Sequence, residues 1–115
     1  MCLLVVAWQT HPRYRLIVAG NRDEFHERPT APVDWWSDAP DVLAGRDLRA
    51  GGTWLGLSRS GRFGLVTNFR EADGATRADA PSRGELVPAY LRDESGAAPY
   101  LEELQQRATQ YAGFN

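Results

Sequence analysis

Two pairs of apolar runs, each broken by a short turn, constrain this chain more than anything else in it. Cys2 to Trp8 and Tyr14 to Gly20 flank Gln9-Thr10-His11-Pro12-Arg13, a proline turn. Thr53 to Ser58 and Arg62 to Asn68 flank Arg59-Ser60-Gly61, where glycine is free to take positive φ. Runs rich in β-formers around such turns predict two antiparallel hairpins, here read as sharing one sheet. The nearly continuous apolar character of the first pair predicts strands covered on both faces, as inside a layered sheet.

Between the hairpins the pattern weakens. Phe25 to Asp41 holds Pro29, Pro32 and Pro40 with Trp35-Trp36 and follows neither period, so it reads as an ordered loop pinned by its aromatics. The two tryptophans either pack that loop on the core or wall a ligand. Val42-Leu43-Ala44 reads as a short strand, Gly45-Arg46-Asp47 as a turn, and Gly51-Gly52 as a place where backbone bends sharply or approaches something closely.

After a polar, flexible stretch from Phe69 to Pro81, Ser82-Arg83-Gly84-Glu85 has the form of a capping box. There Ser82 bonds the Glu85 backbone while the carboxylate reaches back, and a helix begins. Pro88 predicts a kink or an early stop. A second helix is expected from about Pro99 to Tyr111, burying Leu101, Leu104, Ala108 and Tyr111. Hairpins followed by helices give an α+β chain, which reads as a single domain over residues 1–115 or as the N-terminal portion of a longer one.

Charge and composition exclude several roles. A net charge of −2, with thirteen Lys and Arg spread along the chain, provides no basic field for nucleic acid. No run approaches the ~20 apolar residues needed to cross a bilayer, so no stable membrane insertion is expected. A single cysteine precludes an internal disulfide and suits a reducing, cytoplasmic setting. His11 and His26 have no metal-ligand spacing, and no cofactor is expected.

The chemistry-bearing residues cluster at strand ends. Cys2 follows the initiator methionine, and removal of Met1 would place a thiol and a free α-amine on one residue. Reference pKa values of ~8.5 and ~7.7–8.0 let the two exchange a proton near neutrality. The alternative is a small buried hydrophobe. An antiparallel partner brings Asn21 to Glu24 beside Cys2. Asp23 then holds the ammonium or orients the thiol, and Arg22 binds a substrate carboxylate or stabilises negative charge; otherwise the two form a surface turn pair. Asn68 ends its strand as either an oxyanion donor or a turn residue. Trp54 and Asn21 complete the candidate binding set.

The strings MCLLVVAWQ, NRDEF, ERPTAP, LAGRDLRAGGTWLGLSRSGRFGLVTNFRE, SRGELV and YAGFN resemble, in order and along the whole chain, the NRDE family, also known as transport and Golgi organisation proteins. That resemblance implies an N-terminal-nucleophile hydrolase-like four-layer αββα fold, of which this would be the N-terminal part, and roles in Golgi organisation or haem trafficking. Full-length members are longer. A more distant similarity is to choloylglycine hydrolases and penicillin V acylases, which also carry Cys after Met1, a hairpin ending near Asn-x-Asp, and a later strand ending in asparagine.

By that similarity Cys2 is the nucleophile, Asp23 its orienting partner and Asn68 an oxyanion donor. The hydrolases place an arginine ahead of the asparagine, where this chain has Gly20, so Arg22 departs from their pattern. The implied activity is amidohydrolase cleavage of a non-peptide C–N bond in a small-molecule amide. The alternative is a non-catalytic carrier, with haem held through Cys2 and His26. A third possibility is an interaction module anchored by Trp35, Trp36 and Trp54.

Overall fold

A computed structural model describes residues 2–69 and 79–115. Most of the expected Phe69–Pro81 linker lies outside the described residues, as does Met1. Six strands precede two helices: β1 (Leu3–Trp8), β2 (Leu16–Asn21), β3 (Thr30–Trp36), β4 (Ala39–Asp47), β5 (Leu55–Ser58), β6 (Phe63–Leu65), α1 (Leu86–Arg92) and α2 (Ala97–Arg107). The chain is therefore α+β with antiparallel sheets.

Both hairpins form, but in separate sheets. Among the described residues β1 pairs with β2 alone, whereas β3-β4-β5-β6 make a four-stranded sheet. The expectation that β1 and β2 are covered on both faces does not hold: Leu3 is 64% and Trp8 57% exposed, and Val5 and Val6 are exposed too. The described residues contain no second layer over this ribbon, and an apolar run alone does not say what covers it.

The loop expected over Phe25–Asp41 is largely strand. β3 carries Pro32 without penalty because it is an edge strand, and the register shifts between Ala31 and Asp34 where the proline falls. Trp36 is buried and its indole Nε1 donates to the Ala44 carbonyl at 3.2 Å, so it serves the core. Trp35 stays half-exposed beneath the Arg59 guanidinium, 3.8 Å from its ring centre. Gly45-Arg46-Asp47 is the end of β4 rather than a turn. The chain reverses just after it, through Gly51 at φ 77°. In the second hairpin Gly61 takes φ 84°.

The core lies between α1 and the larger sheet. Ala44, Gly56 and Gly64 stand in register across β4, β5 and β6, a row of minimal side chains. A Cβ on Gly56 would meet Leu91 Cδ1 at 2.9 Å, and one on Gly64 would meet Tyr90 at 3.2 Å. The row is thus a trough that lets α1 lie close to the sheet and bury Val87 and Leu91 above Val42, which is 0% exposed.

Helix α1 begins where expected, without the capping box. Ser82 Oγ accepts from the Gly84 amide at 3.3 Å across a 3₁₀ turn (Arg83–Glu85), while the Glu85 carboxylate is drawn to the Tyr111 hydroxyl at 2.6 Å. Pro88 falls in the first turn of α1, where a missing N–H costs no helical bond, and the helix stops four residues later at Arg92. α2 starts and stops earlier than expected and continues as a 3₁₀ turn over Ala108–Gln110. It buries Tyr100 and Leu104 but leaves Leu101 54% exposed. Finally, Thr67 and Asn115 exchange backbone bonds at 2.9 Å, and Asn68 bridges Phe114, which ties the chain end to the strand end after β6.

Candidate functional site

The register of β1 with β2 sets Leu3 opposite Asn21 and so brings Cys2 level with the residues after β2. Asn21 Oδ1 accepts from the Leu3 amide at 3.0 Å and closes the open end of the ribbon. The backbone N–H of Asp23 donates to Cys2 Sγ at 3.4 Å. A thiol sulfur that accepts such a bond is held in one orientation, and Cys2 is half-buried.

Cys2 opens onto a cavity of about 330 Å³ that also meets Arg22, Asp23, Trp54 and Asn68. Five of the six residues expected to act on or bind an amide substrate thus adjoin one space, while Asn21 supports it from the ribbon and Trp35 and Trp36 do not line it. His26 is exposed and does not line it. No cluster of three or more His, Cys, Asp or Glu among the described residues could hold a metal ion. The walls mix charged and hydroxyl side chains with Trp54 and Val66, and a Cys2–His26 pair for haem iron is not assembled there.

Residues not singled out for a role at the site complete the walls. Asp47, at the end of β4, receives Arg28 Nε and Nη2 at 2.7 Å on Oδ2 and the amides of Arg49 and Ala50 on Oδ1. Burial pulls the Asp47 carboxyl upward, but the Arg28 bond and the two amide bonds outweigh it and hold the group below the usual carboxylate range. Arg22 Nη2 lies 3.0 Å from Glu24 Oε2 and 3.7 Å from Asp47 Oδ2. Arg28 is in turn 3.8 Å from Glu24. The four groups knit the end of β2 to the end of β4 and form one wall.

Ser82-Arg83-Gly84 and Thr53 also line the cavity. Thr53 N donates to the Gly84 carbonyl at 2.9 Å, and any side chain on Gly52 would overlap that carbonyl oxygen. The Gly51-Gly52 signal therefore reports both a positive φ and a close approach. Arg28, Asp47 and Arg83 lie in the ERPTAP, LAGRD and SRGELV strings, but nothing in those strings shows that they adjoin one cavity, which only tertiary structure assembles.

The profile of the Transport and Golgi organisation 2 family matches residues 1–115. The chain belongs to the Transport and Golgi organisation 2 family. Among curated relatives, the mouse Transport and Golgi organization 2 homolog is 38% identical over 122 residues, and the human homolog is 35% identical over 122. The fruit fly Transport and Golgi organization protein 2 is 35% identical over 125. Each alignment covers 100% of this chain and 44% of the relative, so the chain spans less than half the length of the Transport and Golgi organisation relatives it matches. Among the described residues no helix is long and apolar enough to cross a membrane.

Proposed function

We propose that this chain supplies the ligand-holding portion of a transport and Golgi-organisation protein, acting as a carrier for a small polar molecule seated beside Cys2. The observation that carries this reading is the family match along residues 1–115. The cavity supports a small ligand: its volume and its arginine, carboxylate and hydroxyl walls suit a polar molecule better than a flat macrocycle such as haem. The single thiol suits work on the cytoplasmic side of the membranes that such proteins organise. We place the two antiparallel sheets in a four-layer αββα arrangement, as the family resemblance implies.

A chimaera in which this chain replaces the matching segment of the mouse homolog tests the reading. In cells lacking that homolog it should restore transit of a secretory cargo through the Golgi. A stable, well-expressed chimaera that restores nothing would overturn it.

A second reading rests on the Cys2–Asp23 contact and on Asn68 at the same cavity. With Met1 removed, the α-amine takes the thiol proton and the sulfur attacks an amide carbonyl, whose oxyanion Asn68 receives. Collapse breaks the C–N bond, the departing amine leaves with the proton from the α-ammonium, and water then cleaves the thioester to a carboxylic acid. Intact mass decides between the two readings. Retained Met1 excludes this mechanism, whereas a processed chain acylated by a p-nitrophenyl ester, but not as Cys2→Ser, favours it.

A further inference from the structure

The four guanidinium groups that line the cavity with Cys2 differ in what holds them, and Arg46 is clamped by both oxygens of Asp38. Arg28 and Arg22 are bound to Asp47 and Glu24, as described above, which cancels their charge within the wall. Arg83 is anchored differently: its Nη1 donates at 2.7 Å to the backbone carbonyl of Gly113. A carbonyl fixes the head group without neutralising it, and a guanidinium has five N–H donors to share.

Two of the three acidic groups that line the cavity are meanwhile turned to partners in the wall, and the third, Asp23, stands at the Cys2 end. Asp47 uses both oxygens as above, while Glu24 receives Arg22 on Oε2 and the Phe25 amide on Oε1. Ser82 Oγ is already an acceptor for Gly84 N, and Thr53 Oγ1 donates to the Leu55 carbonyl. Arg83 therefore brings to the 3₁₀ turn a guanidinium that is held by a carbonyl instead of a carboxylate. A charged donor held in that way is what an oxyanion requires.

We propose that Arg83 is the receptor for the anionic group, carboxylate or phosphate, of the ligand held beside Cys2. This deepens the carrier reading and rests on it for the ligand, but not on any cleavage. Arg22, the candidate from the motif for that role, is instead tied to Glu24 and Asp47. An arginine whose backbone partner leaves several donors open can grip a planar or tetrahedral oxyanion with paired bonds, and the Thr53–Gly84 bond on its flank sets where the 3₁₀ turn lies.

The lone thiol makes the test unambiguous. Iodoacetate and iodoacetamide alkylate the same sulfur but differ by one negative charge. In the full chain the ratio of their rates at Cys2 should exceed that of N-acetylcysteine amide in the same buffer by roughly fivefold, the effect of one unit charge across a half-exposed cavity. R83Q should bring the ratio down towards that of the small thiol with the iodoacetamide rate unchanged, and R83K should retain it. Inorganic phosphate and butyrate form separate arms, and whichever slows carboxymethylation identifies the oxyanion.

A ratio in the unaltered chain no higher than that of the small thiol overturns the proposal whether or not R83Q folds. So does a high ratio that folded R83Q preserves, or the absence of protection by either anion. A chimaera that fails to restore transport while the ratio stays high would overturn the carrier reading and leave the anion receptor standing.

Discussion

Cys2 Sγ accepts a hydrogen bond from the Asp23 amide, 3.4 Å away, so the residue that follows the initiator methionine is fixed by the backbone that follows β2. This bond depends on register. The pairing of Leu3 with Asn21 sets it, and a slip of one residue would carry the thiol to the opposite face of the ribbon.

Because sulfur is a weak acceptor and the bond lies at a ribbon end, Cys2→Ala should cost little stability, about 0.5 kcal/mol. The same change should abolish alkylation completely. Chemical denaturation together with mass spectrometry of the alkylated chain checks both; a loss of several kcal/mol would mean that Cys2 is a core residue instead.

Asp47 carries two jobs that substitution separates. Asp47→Asn keeps an oxygen for the Arg49 and Ala50 amides but loses the charge facing Arg28, and should cost about 1 kcal/mol; Asp47→Ala loses both and should cost about 2 kcal/mol. Only the charge-dependent part should shrink in high salt. As the folded carboxyl is held below its ordinary value, its contribution is present above the unfolded pKa of ~3.9 and is lost as pH falls through the lower folded value. Urea midpoints across pH 2–6 should therefore show a steeper acid loss in the native chain than in Asp47→Asn.

Sequence and structure agree where a local rule is decisive and part where distant groups compete. Gly61 could be placed in its hairpin because few residues tolerate positive φ, and Cys2 could be placed beside Asn21 to Glu24 because antiparallel pairing leaves little choice. β3 escaped notice because Pro29, Pro32 and Pro40 mask a strand period that an edge position tolerates. The Ser82–Glu85 capping box has the right spelling, yet Glu85 turns to Tyr111, 26 residues away. Arg28, Asp47 and Arg83 stand in the ERPTAP, LAGRD and SRGELV strings, yet those strings do not give their roles, since what distinguishes them is which partner each found.

The small-residue row across the sheet predicts a sharp size dependence. Gly56→Ala would bring a methyl to 2.9 Å from Leu91 Cδ1 and 3.1 Å from Ala44 Cβ. Gly56→Val should lift α1 and cost about 2–3 kcal/mol. Leu91→Ala in the Gly56→Ala background should recover part of the loss for Gly56→Ala, as a double-mutant cycle from thermal unfolding would reveal. Strict additivity would show that α1 does not rest on the row.

At the alkaline end Tyr111 should dominate. Burial, and then its bond to the Glu85 carboxylate, raise the phenol to about 12 from an ordinary value near 10. A raised folded pKa means that the contribution is fully present below about pH 10 and is lost as pH rises through about 12, on the order of 2 kcal/mol in all. Tyr111→Phe should remove this alkaline loss from unfolding curves and delete the last-titrating tyrosinate from ultraviolet difference spectra. A native tyrosine set that titrates together near 10 would contradict the Tyr111–Glu85 bond.

The β1–β2 ribbon should be the first part of this chain to open. Isolated two-stranded ribbons are marginal in water, and here most side chains of both strands face solvent, whereas β4 carries fully buried Val42. Amide hydrogen exchange should accordingly be faster in Leu3–Trp8 and Leu16–Asn21 than in the middle of β4 by several powers of ten. Since Cys2 and Arg22 to Glu24 hang from the end of this ribbon, an occupant of the cavity must order it as it binds, and part of the binding energy is spent there. Addition of the anion that protects Cys2 should therefore slow exchange selectively at Leu3 and Asp23, with β4 unchanged. Uniform slowing across all strands would instead indicate global stabilisation without a local site.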